Sequence, residues 1–446
     1  MSAPLGWRRT IAFASGDFAF NLYWQSVSLY LLFYYTEAVG LSASAAGLIY
    51  MVASIWDGFA DPVIGAAADR TRTRWGRYRP WLLFGTLPLA GGFALLYFRP
   101  PLAGTALVVA VMAAHLVFRS LYAAVNVPYA ALTARITRSA AERGNIAGAR
   151  MVFGTCAYVA VALLTQPVAA LATGSRDAPF GFFVAALLFA LLATPILLLV
   201  FRTTREETTE DARARRALDW APVLRNRAFW TLVLAGLCFV VCYTVFAKSV
   251  LYYFKYVLLD EKGAPAALAM AGASGLVVVP LWMLVARRIG KRAVWLASCG
   301  LFASGLILFA LARPGAGWGM NALLVYVQAG YLGIVFAYWG MLPDTVEYGE
   351  WRSGGRAEGL VFGLALLFQK VSLGLGAGLF GLALDHVGFV ANRAQSPATI
   401  AGLVTIMVAL PLAGALLSML AMAFNPLRRG THEAIVAEIA ARGETR

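Results

Sequence analysis

The sequence is short of charge. Of its 446 residues only 13% are Asp, Glu, Lys or Arg, against about 25% in a soluble globular protein, which excludes a freely soluble domain of this length. Histidine is rarer still, with His115 in an apolar run, His386 in a loop and His432 in the tail, so a histidine-based metal centre is not expected. The four cysteines, Cys156, Cys238, Cys242 and Cys299, all lie in apolar segments and read as small core residues rather than disulfide or metal partners. No HExxH, GxSxG or GxxxxGK[ST] pattern occurs, which leaves a membrane-embedded hydrolase or an ATP-driven machine without residues to act with. Acidic residues are outnumbered, 22 against 37 Lys and Arg, for a net charge of +15. The basic residues are scattered in short loops instead of gathering on one solvated face, so no nucleic-acid partner is expected. MSAPLGWRRT leads into a long apolar segment without a small-residue cleavage site, and the first helix is expected to remain in place.

What the sequence has in abundance is apolar length. It is 61% hydrophobic with a mean hydropathy of +0.72. Runs of about 20 apolar residues, the length needed to cross a bilayer, predict twelve spans at 10–36, 45–68, 80–99, 104–134, 150–172, 180–201, 228–257, 265–286, 293–312, 319–341, 359–385 and 398–424. The basic residues crowd into the N-terminal arm, the even-numbered loops and the tail, whereas the other loops hold Arg99, Arg176, Lys262, Arg313 and Arg393. Such an asymmetry predicts both termini on the cytoplasmic side. The longest loop divides the chain into an N-terminal six-helix half (1–201), a cytoplasmic loop (202–227), a C-terminal half (228–424) and a tail (425–446). A basic, glycine-containing turn recurs in corresponding places, DRTRTRWGRYRP after span 2 and ARRIGKRAV after span 8. Two repeated halves are a common transporter plan, with solute bound near the midplane.

The stretch Asp57 to Trp81, DGFADPVIGAAADRTRTRWGRYRPW, organises the rest. Asp57 and Asp61 are four residues apart and share a helix face. A charge at mid-membrane depth costs roughly 2.5 to 3.5 kcal/mol, so two acids on one face are expected to line a polar cavity. Their proximity disfavours double ionisation: one holds a proton or both share a cation. Counting inward at 1.5 Å per residue puts Asp17, Asp57, Asp61, Asn126, Arg150 and Lys370 about 10 to 18 Å below the cytoplasmic ends of their helices. This common layer predicts a central hydrophilic cavity, with Tyr23, Trp24, Tyr122 and Tyr129 close by in sequence. Arg119, Lys248 and Lys255 fall further out, where they snorkel or line a vestibule, and carry no assigned role.

These residues resemble the glycoside-pentoside-hexuronide:cation symporters of the major facilitator superfamily, which include the melibiose permeases. The resemblance rests on GDFAFNLYW and LLFYYTEAVGLS, on WDGFADPVIGAAADRTRTRWGRYRPW, on NVPYAAL and ERGNIAGARM, and on LPDTVEYGEWRSGGRAEGLVFG. It implies an all-α membrane protein of twelve helices in the major facilitator fold, an inner-membrane secondary symporter for a sugar, glycoside or uronide working by alternating access. It implies a cation site at Asp57 and Asp61, faced by Lys370, and sugar contacts at Asp17, Asn126 and Arg150, with Trp24 and Tyr23 beside them. It also implies a cytoplasmic gate of Arg143, Asp344, Glu347, Arg356 and Glu358. The melibiose permeases carry aspartate, asparagine, threonine and tryptophan where Asn126, Ala60, Ala123 and Ala130 stand here.

Sodium wants several hard oxygens, and Ala60 and Ala123 supply none, whereas a proton needs a single carboxylate. The expected coupling ion is therefore H⁺, with Na⁺ at Asp57 and Asp61 as the alternative. A monomer in the lipid bilayer with no cofactor is expected. The rival readings are a lysolipid carrier, a membrane-embedded enzyme or a sensor.

Overall fold

The computed structural model describes residues 6–137, 140–206, 220–355 and 357–444. The described residues contain no strand and are dominated by long helices. They are α1 (Trp7–Phe33), α2 (Ala43–Arg70), α3 (Arg79–Leu96), α4 (Gly104–Ile136), α5 (Ala140–Thr173) and α6 (Pro179–Thr203). A short α7 (Ala221–Leu224) precedes α8 (Arg227–Tyr252), α9 (Ala264–Ala273), α10 (Gly275–Ile289) and α11 (Lys291–Ala312). The chain ends with α12 (Trp318–Ser353), α13 (Glu358–His386), α14 (Pro397–Ala423) and α15 (Thr431–Glu444). Helix starts are set locally by side-chain caps: Ser42, Asn226 and Ser396 accept from the backbone N–H groups of Ala45, Phe229 and Thr399, donors that have no partner inside their helices.

Ten spans among the described residues are long and apolar enough to cross a bilayer. Of the twelve expected, the first and third fall short of that measure for visible reasons. Helix α1 carries Asp17, Asn21 and Gln25, while α3 is 18 residues long and opens on Arg79-Pro80-Trp81. Span 8 is interrupted at Ser274 into α9 and α10, and span 10 continues as α12 to Ser353. Asp344 and Glu347 therefore stand on helix rather than in a loop, and His386 closes α13. Cys156 is exposed, against the expectation of a core residue, while Cys299 is buried.

The chain forms two compact units. The first comprises Met1–Ala212, Asp260–Ala273 and Gly381–Gln395; the second comprises Arg213–Leu259, Ser274–Phe380 and Ser396–Arg446. In the first, α1 packs on α5 and α6, α4 on α2 and α3, and α9 on α5. Its interior is aromatic, and two of its buried hydroxyls reach carbonyls: Tyr30 donates to Ala162 O and Tyr34 to Tyr97 O, each at 2.8 Å, which offsets the cost of burying those two. In the second, α14 packs on α8 and α11, and α12 on α11, α10 and α15. There Trp295 Nε1 donates to Ser418 Oγ at 3.0 Å, and the rings of Tyr243 and Tyr331 stack at 3.7 Å.

The recurrent basic turns do the same work in each unit. Arg79, at the start of α3, donates through Nη2 to Phe201 O at 2.7 Å near the end of α6. Arg292, at the start of α11, donates through Nε and Nη2 to Met422 O and Ala423 O at 3.1 and 2.7 Å at the end of α14. The last carbonyls of a helix lack internal partners and carry its negative pole, so a guanidinium satisfies both. In the first unit the Glu206 carboxylate also accepts from the N–H groups of Arg77, Tyr78 and Arg79 at 2.8, 2.8 and 2.9 Å, an anion seated at the positive end of α3.

Candidate functional site

A polar stripe runs along α1. Asp17, Asn21 and Gln25 repeat every fourth residue and so share a face; Asn21 Nδ2 donates to Asp17 O at 2.8 Å and Gln25 Nε2 to Asn21 Oδ1 at 3.1 Å. The Asp17 carboxylate is gripped from two other helices. From α5, Arg150 places Nε 2.5 Å from Oδ2 and Nη2 3.2 Å from Oδ1, the two-pronged geometry that a guanidinium and a carboxylate favour. From α4, the Tyr129 hydroxyl lies 2.6 Å from Asp17 Oδ2 and 2.8 Å from Phe13 O, and Thr133 Oγ1 accepts from Arg150 Nη1 at 2.9 Å. The Arg150 and Asp17 side chains keep 26% and 17% of their surface exposed, so the pair is sheltered yet reachable. Gly16 makes this possible, because a Cβ there would lie 2.7 Å from the Tyr129 ring.

In the same unit a second ion pair is closed off almost completely. Asp57 and Arg119 are 1% and 2% exposed, with Arg119 Nη1 3.4 Å from Asp57 Oδ2. Arg119 Nε donates to His115 Nε2 at 3.3 Å, and the guanidinium lies 5.2 Å from the Trp24 ring and 5.8 Å from that of Tyr50, within cation–π range. Asp61 is half-buried on the next turn of α2. Tyr122 of α4 sets its ring 5.9 Å from Phe20 and 6.0 Å from Trp24, beside the α1 face that carries Asp17.

Of the expected sugar and cation residues of the first unit, Asp17 and Arg150 meet directly and Asp57 is paired with Arg119. Asn126 is half-buried on α4, between Tyr122 and Tyr129 in sequence, and Trp24 is half-buried with its ring 6.0 Å from Tyr122. Tyr23 is a correction: it is fully buried with its ring edge-on to Phe93 at 4.7 Å, in the core against α3. Successive helical residues are about 100° apart, so Trp24 and Tyr23 face different neighbours. Lys370 is half-buried on α13 in the second unit.

Of the expected gate, Arg356 lies outside the described residues, and Arg143 and Glu358 are exposed. Asp344 accepts from Lys291 Nζ at 2.8 and 2.7 Å through its two oxygens, His432 Nε2 lies 3.7 Å from Asp344 Oδ1, and His432 also meets Glu347. The partners described for Asp344 and Glu347 thus come from their own unit, because α15 folds back along α12 and brings the tail histidine to them. Trp351 Nε1 secures the same contact by donating to Glu438 Oε2 at 2.7 Å. Asp344, Glu347 and His432 offer ligand atoms within 4.8 Å of one another, but Lys291 already supplies the positive charge there.

Sequence reasoning passed over Arg119, His115, Asn21, Gln25 and Thr133. The signal was present: His115 and Arg119 are four apart, as are Asn21 and Gln25 after Asp17. Arg119 in particular does not snorkel, because Asp57 of α2 lies at its own depth.

A family model described as MFS/sugar transport protein matches residues 12–429. The chain is 33% identical over 433 residues to the isoprimeverose transporter of Lactiplantibacillus pentosus, covering 94% of this chain and 88% of that one. It is 30% identical over 447 residues to the glucuronide carrier protein homolog of Escherichia coli (strain K12), covering 98% and 96%. Among solved structures, the nucleoside transporter NupG matches with a TM-score of 0.68 at 14% identity over 94% of this chain and 100% of that one, a likeness of fold.

Proposed function

We propose, because the chain belongs to the MFS/sugar transport protein family, that the sheltered Asp17–Arg150 pair is where its sugar binds. The protein is a multi-pass membrane carrier of the sugar-symporter type, not an enzyme. The observation that carries the reading of the site is the two-pronged grip of Arg150 on Asp17, buttressed by Tyr129 and Thr133. A carboxylate accepts only and a guanidinium donates only. Neighbouring hydroxyls of a sugar ring do both, and so can exchange with the bonds the pair makes to itself.

The cargo is a glycoside or a uronide. Relatives named for isoprimeverose and for glucuronide support that class, and a guanidinium is equally suited to a uronide carboxylate. Asp57 and Asp61 carry the coupling, and H⁺ is the ion, since Ala60 and Ala123 bring no side-chain oxygen to supplement them. The crowding of basic residues into alternate loops supports an inner-membrane location with both termini in the cytoplasm. Lys370 and the charged groups Arg143, Asp344, Glu347, Arg356 and Glu358 act in the conformational cycle.

The test is uptake by reconstituted protein from a panel of pentosides, hexosides and uronides, with and without Asp17→Ala. Losing hydrogen bonds to a charged group lowers affinity about tenfold to hundredfold. Unchanged binding in the variant, or a lysolipid as the only cargo, would overturn the reading. Solute-driven alkalinisation in sodium-free vesicles tests the ion.

A further inference from the structure

We propose that Arg119 is a resident counter-cation at Asp57 and that it is a second determinant of the coupling ion beside the missing oxygens at Ala60 and Ala123, opposing sodium at the α2 acid pair while leaving it open to protons. The inference rests on the reading of Asp57 and Asp61 as the coupling site. Two carboxylates on adjacent turns of a membrane helix need positive charge, and the protein delivers one to Asp57 itself: Arg119 Nη1 is 3.4 Å from Oδ2, with both side chains sealed at 2% and 1% exposure. A guanidinium does not give up its proton in proteins, so that charge is permanent.

Its position is over-determined. Arg119 donates through Nε to His115 Nε2, so the imidazole is the acceptor that fixes the guanidinium on that side. The rings of Trp24 and Tyr50 flank the guanidinium, and Tyr35 and Tyr50 meet the His115 ring at 6.0 and 5.6 Å. Arg119 is thus a fixed cation in direct contact with Asp57.

The consequence for ion choice is electrostatic. A sodium ion bridging Asp57 and Asp61 would have to share Asp57 with a fixed positive charge in a poorly hydrated pocket, where repulsion between like charges is far stronger than in water. A proton bound at Asp61 neutralises a carboxylate in place and adds no separate cation beside Arg119. Arg119 is thus a specificity-determining residue that never has to touch the sugar.

The experiment measures sodium directly, without the sugar. Thermal unfolding of the purified full-length protein is followed in millimolar NaCl against choline chloride, for wild type, Arg119→Gln, Arg119→Lys and the doubly neutral Asp57→Asn/Arg119→Gln. Wild type and Arg119→Lys are expected to be indifferent to sodium, Arg119→Gln to be stabilised by it with about tenfold tighter apparent binding, and the double variant to be indifferent again. Sodium stabilisation of wild type would overturn the proposal outright, as would a folded Arg119→Gln that ignores sodium. If Arg119→Gln does not fold, sodium stabilisation of Arg119→Lys overturns the proposal, and joint indifference of wild type and Arg119→Lys, with proton movement during uptake in sodium-free vesicles, supports it. A failure to transport any sugar defeats the proposed cargo and leaves the sodium measurement standing.

Discussion

The two units share a frame and differ in what lines them. The first long helix of each relaxes into a π-helical turn, Tyr34–Ala38 in the first and Tyr253–Val257 in the second. Each then turns through a left-handed residue, Gly40 in one and Leu259 in the other, with φ of +85° and +53°. Each uses an arginine at a corresponding helix start, Arg79 or Arg292, to hold the carbonyl end of its last span. Inside, the likeness stops. The first unit holds one sheltered ion pair, Asp17–Arg150, and one buried one, Asp57–Arg119, whereas the second gathers aromatic rings, Tyr243 and Phe239 stacked on Tyr331 with Phe302 edge-on to Phe239. Its own described ion pairs, around Asp344, are gathered where α12 meets α15. A repeated scaffold therefore tolerates very different linings, because its turns and caps are satisfied by backbone geometry and a few cationic side chains.

The sharpest way to break this comparison is to strip charge from the first lining. Arg150→Ala leaves the Asp17 carboxylate without its fork and is expected to cost about 2 kcal/mol, the lower end for truncating a hydrogen-bonded charge pair, and to abolish uptake. A variant that still accumulates sugar would mean that the lining is structural. Next in size, Gly16→Val drives a branched side chain into the Tyr129 ring and is expected to cost about 1 to 3 kcal/mol, read as a fall in melting temperature in detergent together with loss of uptake. The shared frame is tested by matched substitutions. Arg79→Ala and Arg292→Ala each free carbonyls at a helix end and are expected to cost about 1 kcal/mol, and one being silent while the other melts the protein would show that the two turns do different jobs. The smallest effect is expected at the left-handed positions: Leu259→Gly relieves strain and is expected to add about 0.5 kcal/mol once the entropy of glycine is counted, with Gly40→Leu moving stability the other way. Equal destabilisation by both would remove the correspondence.

Part of this was legible in residue order. Apolar runs and loop charge predict a many-span membrane protein, and counting inward from the loops places Asp17, Asp57, Asp61, Asn126 and Arg150 at one depth; the structure joins Asp17 to Arg150 and Tyr129 and Asp57 to Arg119. The same counting set Arg119 apart as a residue for the rim, since it reports depth along one helix and is blind to the neighbour at that depth. It also placed Tyr23 beside Trp24, although a step of one residue turns the side chain to another face. The tail histidine, His432, carried no signal at all, because its partners Asp344 and Glu347 lie 88 and 85 residues away on α12.

What the sequence determined by itself, then, is whatever follows from short-range periodicity and from the cost of burying charge in lipid: the helical type of the elements, the acid pair on α2 and the basic turns. What only the tertiary structure decided is which charges neutralise one another. The choice of Arg150 for Asp17 and Arg119 for Asp57 depends on the rotation and spacing of helices packed side by side, and a buried ion pair is selected by angles and ångströms that no spacing along a single chain encodes.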